Sequence, residues 1–473
     1  MPPEFYILPT SPTYTCLDRF SLYPSPTPPE DSAGNVPFWP IFESLLGPSN
    51  PIRSSSPLIS LLETISFTLT GSTSPATDHN LLRDAISEFP NFYTRTWPQI
   101  AAIALAMPAL FPMGYIPVLG RARTELRLSR KQAACLVVHQ FLRTMRAPEW
   151  RTDGTHDFGI WYSQEGQRQE SATRAYLKAV MTYFEEVIPK LDGEEDEWDV
   201  VYSLRSLGRE SALPDGEACR LAEVEVEVVE EYDVLPGSLG LPGGAAVVSA
   251  NRYVGFGQSA TQEEVHVGTS PEACPVVLVT PPLEDDQVLV VQGAMGMVNV
   301  IGQRRSIRLE PMRTSDCAMT RWRERRMLFM DALELDLVEE GSDEGPWILP
   351  DLRPGNVDRE IRKAYTAFCS EGFTEVRTGF WGCGAFGGDP VVKALILWYA
   401  ASLAGKRLVV VCDKHSQSVA EQLQDLLSSI KAQPSWVAKD LVRLLDGAPG
   451  DLVRYQTSSW FRVAAENVVR DAR

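Results

Sequence analysis

The chain has little of what would let it bind nucleic acid, hold a structural metal or cross a membrane. Lys and Arg number 44 against 62 Asp and Glu, a net charge of −18 over 473 residues. General affinity for DNA or RNA relies on clustered cations, so no direct nucleic-acid binding is expected. Eight cysteines run from Cys16 to Cys412 without one C-x-x-C pair. That argues against a structural zinc site and a disulfide framework, and for a reducing compartment. The five histidines are not paired at ligand spacing, so neither a metal nor a cofactor is expected. No apolar run approaches the about 18 residues that suggest a membrane span; the longest, around Ala101 to Pro117, is broken by Pro108 and Pro112. Met1-Pro2-Pro3-Glu4 lacks a basic region followed by an apolar stretch, so no secretory signal is expected.

What is present is a hydrophobic content of 44%, enough for a large core in more than one domain or one elaborated domain. Residues 1 to about 60 are rich in proline and serine with Phe38, Trp39 and Phe42 interleaved, which reads as an extended arm packed down by its aromatics. Gly71 to Asn80 reads as a loop, and Leu81 to Met145 has helical periodicity. Ser129 and Gln132 fit a capping box opening a helix whose apolar face is Ala133, Leu136, Val137 and Phe141. A further helix is predicted over Ser171 to Ile188, and the acidic run Glu194 to Asp199 reads as a solvated loop. Beyond it, Glu223 to Val229 alternates as a half-exposed strand does. Short apolar runs at Pro275 to Thr280, Val288 to Gln292, Met327 to Leu333 and Leu408 to Cys412 suit buried strands of a central sheet. Asp389, Pro390 and Gly405 bracket a helix as cap, first turn and terminator. The coarse reading is a helical first third followed by an α/β remainder.

Two constellations carry chemistry. The first is Gly255-Phe256-Gly257, soon followed by Gln262-Glu263-Glu264. Glycines let a backbone approach a ligand closely, its N–H groups can cradle phosphate, and the carboxylates can supply acid–base chemistry. An ordinary strand-to-helix turn with two solvated glutamates accounts for it equally well. The second is Thr378-Gly379-Phe380-Trp381-Gly382-Cys383-Gly384-Ala385-Phe386-Gly387-Gly388-Asp389. Its glycines lead into a capped helix, a ready anion site. Large rings at 380, 381 and 386 argue against a merely flexible loop.

With these residues in view, the sequence resembles the poly(ADP-ribose) glycohydrolases. The resemblance rests on Trp381 to Asp389, on Asn251 within Ala250-Asn251-Arg252-Tyr253, and on Gln262-Glu263-Glu264. Ser129 to Leu142, Met330 to Leu333 and Asp358 to Tyr365 echo it in the same order. It implies an α/β macrodomain, a mixed central sheet flanked by helices, over residues 151–473. Residues 1–150 would be an N-terminal arm and mostly helical accessory domain. It further implies hydrolysis of the ribose–ribose O-glycosidic bond, with Glu264 as catalytic acid and Glu263 beside it on the ribose hydroxyls. Gln262 would lie by the adenine and Asn251 by the ribose. The glycine loops Gly255, Phe256, Gly257 and Gly382, Gly384, Ala385, Phe386, Gly387 would hold the diphosphate. Poly(ADP-ribose) or ADP-ribosylated proteins would be the substrate and ADP-ribose the product. The protein would be a monomer without membrane attachment, nuclear or cytoplasmic, with a nuclear site following from that substrate.

The chain departs from the family pattern in three places. Phe256 replaces a middle glycine and only Gln258 to Thr261 separate that loop from Gln262. Val248 and Ser249 stand where the family has an acidic residue, and Asn299 to Arg304 holds no aromatic for a lid. Glu231 and Asp233 are candidate adenine contacts. A non-catalytic ADP-ribose reader and a mono-ADP-ribosyl hydrolase are the competing readings. Among other residues, His266 reads as a surface or packing residue, Cys383 as a packing residue, and Arg304-Arg305 and Arg321 to Arg326 as solvated helix faces, the latter with the alternative of meeting phosphate on a polymer. Tyr365 reads as core and Lys363 as surface.

Overall fold

A computed structural model describes all residues except 1–2, 49, 72–77, 192–197, 209–210, 232–239, 241–243, 303–305, 311–321, 338–348, 434 and 472–473. Asp233, Arg304-Arg305, Arg321, most of the loop at 71–80 and most of the acidic run at 194–199 fall outside the described residues; Asp199 itself opens a strand. The described chain forms two compact units. One comprises 1–202, 253–282 and 293–323; the other comprises 203–252, 283–292 and 324–473.

The first unit is mainly helical. Its helices include Phe38–Leu45, Ser55–Thr70, Asn80–Ser87, Trp97–Leu105, Arg130–Phe141, Glu170–Glu186 and Gln262–Gly268. The N-terminal stretch is thus less extended than its proline content suggests. Phe38 and Phe42 are fully buried on one face of the first of these helices, because residues four apart share a face. The capping box forms as predicted: Gln132 N donates to Ser129 Oγ at 3.2 Å and Ser129 N to Gln132 Oε1 at 3.0 Å. Ala133, Leu136, Val137 and Phe141 are all buried. The helical reading of 81–145 misses two short strands, Tyr115–Pro117 and Glu125–Ser129. Pro275 to Thr280, expected as a sheet strand, instead contains the short helix Val276–Val279. Periodicity cannot separate a buried helical turn from a buried strand when the apolar run is this short.

In the second unit six strands form a mixed sheet: β1 (Val224–Val229), β2 (Gly244–Ala250), β3 (Gln287–Gln292), β4 (Arg326–Asp331), β5 (Glu375–Thr378) and β6 (Arg407–Asp413), in the order β3-β4-β2-β5-β6-β1. All neighbours run parallel except β3 with β4. β2 and β6 are almost wholly buried apolar runs, as parallel strands covered on both faces are. β1 alternates buried and exposed near its start, matching the half-exposed strand read from Glu223 to Val229. The helix Pro390–Ala404 is buried nearly all round, so its mostly apolar sequence needs no polar stripe. Asp389 caps it, donated to by Val391 N at 2.9 Å and Val392 N at 3.0 Å, and Gly405 ends it at φ +64°. Lys363 is fully buried rather than on the surface. Its ammonium sits 2.6 Å from Asp331 Oδ1 and donates to the carbonyls of Glu284 and Gln287, which is what allows a buried charge.

Candidate active site

The first constellation lies in the first unit and is more tightly built than two loose glycines and a solvated pair. Thr261 caps the short helix Gln262–Gly268, and Glu264, three residues on, closes a capping box with it. Ser259 N donates to Glu264 Oε2 at 2.7 Å and Thr261 N at 3.2 Å. No hydrogen bond to the other oxygen, Oε1, is made among the described residues. Burial raises the Glu264 carboxyl above its ordinary value, and the surrounding backbone N–H groups oppose that without cancelling it. Glu263 is buried at 6% exposure, and its Oε1 accepts from Gly255 N at 2.8 Å. The two neighbours diverge as adjacent residues of a helix must. One braces the loop and the other keeps an oxygen spare. Gln262 is exposed.

The glycines of this loop are needed for space and not for positive φ, which neither Gly255 nor Gly257 has. A Cβ on Gly257 would lie 2.1 Å from Glu264 Oε1. The loop is held by a segment the sequence reading passed over. Arg151 donates to the carbonyl of Tyr253 at 3.2 Å and to that of Val254. Trp161 Nε1 donates to the carbonyl of Gly257 at 2.9 Å. Phe256 is 3% exposed, its ring 5.0 Å from that of Trp161 and 5.6 Å from that of Phe158. Its side chain therefore serves as the loop's anchor, and only its backbone is left to offer a ligand. The N–H groups of Phe256 and Gly257 donate to nothing among the described residues, whereas that of Gly255 is spent on Glu263. Residues 151–161 hold no periodic pattern, so only the Trp and Arg in a polar stretch could have signalled this support. His266 is buried at 6% exposure, as a packing residue.

The second constellation lies in the second unit, at the carboxyl ends of parallel strands, where open α/β sheets bind ligands. Ala250 at the end of β2 pairs with Asp331 at the end of β4, and Thr378 ends β5. Asn251 and the loop 379–388 therefore follow directly from neighbouring strands. Trp381, fully buried, fixes the loop by donating Nε1 to the carbonyl of Met330 at 2.9 Å. Gly382 takes φ +74°, Gly387 φ +69°, and Gly388 N closes back on the carbonyl of Gly382 at 2.9 Å. Such left-handed positions strain any side-chain-bearing residue. Among the described residues the N–H groups of Gly382, Gly384, Ala385 and Phe386 donate to nothing. Four unpaired donors in a short loop ahead of a capped helix are a backbone array suited to an anion.

Beneath the loop lies a buried ionic cluster that the sequence did not signal. Lys393 Nζ pairs with Glu360, lies 3.9 Å from Asp351 Oδ1 and 5.0 Å from the centre of the Trp381 ring. Asp351 Oδ2 accepts from Asp389 N at 3.1 Å, and burial pushes its carboxyl up to about 6. Burial likewise raises Cys383, which keeps it a thiol and not a nucleophile. Among the described residues no cluster of side chains could hold a metal ion, and no helix is long and apolar enough to cross a membrane.

Two family models match. The helical domain of poly(ADP-ribose) glycohydrolase matches residues 86–205, and its Macro domain fold matches residues 237–420; together they take in more than half of the chain. The chain belongs to the poly(ADP-ribose) glycohydrolase family. The expected macrodomain fold with a helical domain before it stands on these matches and on the mixed sheet. Among curated relatives, poly(ADP-ribose) glycohydrolase 1 of Caenorhabditis elegans is 24% identical over 321 residues, 66% of this chain and 38% of that protein. Poly(ADP-ribose) glycohydrolase 1 of Arabidopsis thaliana is 25% identical over 318 residues, 52% of this chain and 55% of that one. The chain thus spans between about two fifths and just over half of these relatives' lengths. Of solved structures, poly(ADP-ribose) glycohydrolase from Deinococcus radiodurans in complex with ADP-ribose matches at 19% identity, covering 44% of this chain and 86% of that one. Its TM-score of 0.28 is too low to carry any structural inference.

Proposed function

We propose that this family member hydrolyses the ribose–ribose O-glycosidic bond of ADP-ribose polymers and releases ADP-ribose. The observation that carries the proposal is Glu264: a carboxyl raised by burial, held through Oε2, with no hydrogen bond to Oε1 among the described residues. Cleaving a glycosidic bond needs a protonated acid at the leaving oxygen and a means of stabilising an oxocarbenium-like centre. A desolvated carboxyl keeps its proton to higher pH, and a nearby diphosphate would raise it further while stabilising the cation. Glu263, fixed on Gly255 N, takes the positioning role beside it. Among the described residues each glycine loop carries unpaired N–H groups, Phe256 and Gly257 in the one and Gly382, Gly384, Ala385 and Phe386 in the other, and such backbone donors suit phosphate oxygens without a field of clustered Lys and Arg. That reconciles a polyanionic ligand with a chain of charge −18. Asn251 and Gln262 are proposed to meet the ribose and the adenine side.

One observation favours a non-catalytic reader instead: Glu264 is also the N3 member of a capping box, a structural duty by itself. Polymer digestion separates the two. Release of free ADP-ribose by the purified protein, abolished in Glu264→Gln while ADP-ribose binding persists, supports hydrolysis. Tight binding with no release by the wild type would leave the reader.

A further inference from the structure

The turn that follows the macrodomain match brings a cation to the glycine loop. Residues 454–456 form a short 3-10 turn, outside the 237–420 stretch that the family model matches. It is pinned at both ends by buried side chains, Leu452 at 4% and Thr457 at 2% exposure. Thr457 Oγ1 lies 3.3 Å from Asp389 Oδ2 and 2.8 Å from the carbonyl of Arg454, so the turn is tied to the residue that caps the loop's helix. From this turn the Arg454 guanidinium donates through Nη2 to the carbonyl of Gly387. A guanidinium carries five donors in a rigid fork; here one is used. Arg454 is exposed, and no carboxylate pairs with it among the described residues, whereas exposed arginines such as Arg127 and Arg443 do pair with carboxylates. Its charge is still felt by Asp351 and Asp389. The loop residues Gly384 and Ala385 are exposed with unpaired N–H groups.

We propose that Arg454 is a phosphate-contacting residue of the glycine loop: its guanidinium, anchored on Gly387, meets the diphosphate of the ligand whose remaining oxygens the loop N–H groups take. This rests on the reading of that loop as an ADP-ribose site. An unpaired guanidinium is the side chain suited to such a contact, because its fork matches phosphate oxygens and stays charged at all working pH. In a chain of charge −18 it supplies local attraction that backbone dipoles alone provide weakly. A purely structural tie between turn and loop is the competing account.

The two accounts part on ligand chemistry. Binding of ADP-ribose and of adenosine, which lacks phosphate, is measured by calorimetry for wild type, Arg454→Lys and Arg454→Gln, with thermal melts as a check on folding. Losing a charge-assisted contact costs about ten- to hundred-fold, so Arg454→Gln is expected to weaken ADP-ribose by that factor. Adenosine binding and the melt should hold, and Arg454→Lys should fall between. With polymer as substrate the loss should fall on KM more than on kcat and should shrink as salt rises. Equal weakening of ADP-ribose and adenosine, or none of either, overturns the proposal. Failure of the wild type to bind ADP-ribose overturns the site reading itself, and this inference with it.

Discussion

Replacing Gly257 with alanine should disable the acid while leaving the fold in place. A Cβ there would stand 2.1 Å from Glu264 Oε1, where ordinary contact begins near 3.4 Å, so the carboxylate must retreat by about 1.3 Å. What must move is the far end of a side chain whose other oxygen accepts from Ser259 N and Thr261 N, so the cost to stability is that of a loosened cap, about 1–2 kcal/mol. The cost to chemistry is larger, because a misplacement of about 1 Å of a catalytic group costs about a hundredfold. The Phe256 anchor and the Trp161 bond to the Gly257 carbonyl resist any relief by loop movement. The assay is the initial rate of ADP-ribose release from polymer, with urea unfolding run in parallel. A Gly257→Ala protein that folds normally and turns over within threefold of wild type would show that Glu264 does not act from the position described.

Phe256→Ala should destabilise by about 3–5 kcal/mol, since it empties a packed aromatic site; unchanged urea unfolding would contradict the anchoring role. Lys393→Met takes the ammonium from Glu360 Oε2 and from beside Asp351; Glu360 keeps Arg359 and the Leu333 N–H on its other oxygen, so the cost should be about 3 kcal/mol, read by the same method. Asp351 has its carboxyl raised from an ordinary 3.8 to about 6, so the native state holds its proton longer than the unfolded chain. Stability relative to Asp351→Asn should therefore fall as pH rises from about 4 to about 6 and stay level beyond; a flat difference across that window would refute the burial argument. Glu264 must be protonated to act, and its carboxyl is raised. Activity should thus decline on the alkaline side of a pKa above 4.5, seen in the pH profile of ADP-ribose release.

The parts legible in the sequence were those set by local chemistry. The Ser129–Gln132 box, the Asp389-Pro390 start and Gly405 stop, and the strands near Val288, Met327 and Leu408 all follow from caps and patterns within one segment. Pro275 to Thr280 failed because four buried apolar residues have no period to read. Lys363 failed because a lysine's burial depends on a carboxylate 32 residues away in sequence. The site divides the same way. The glutamates and both glycine loops stand out by composition. Their supports, Arg151 and Trp161 for the first loop, Lys393, Asp351 and Arg454 for the second, act across long sequence separations and carry no local signature. Phe256 lay between: its departure from glycine was visible, and its inward packing was not.

The central claim is that Glu264 is the acid of a glycosidic hydrolysis. Glutamine keeps the capping geometry and removes the transferable proton. Side-by-side digestion of labelled polymer by wild type and Glu264→Gln, with ADP-ribose affinity measured on the same samples, is the direct test. The account predicts release by the wild type, a loss of at least about a hundredfold in the variant, and nearly equal affinities. Undiminished release by Glu264→Gln would contradict it.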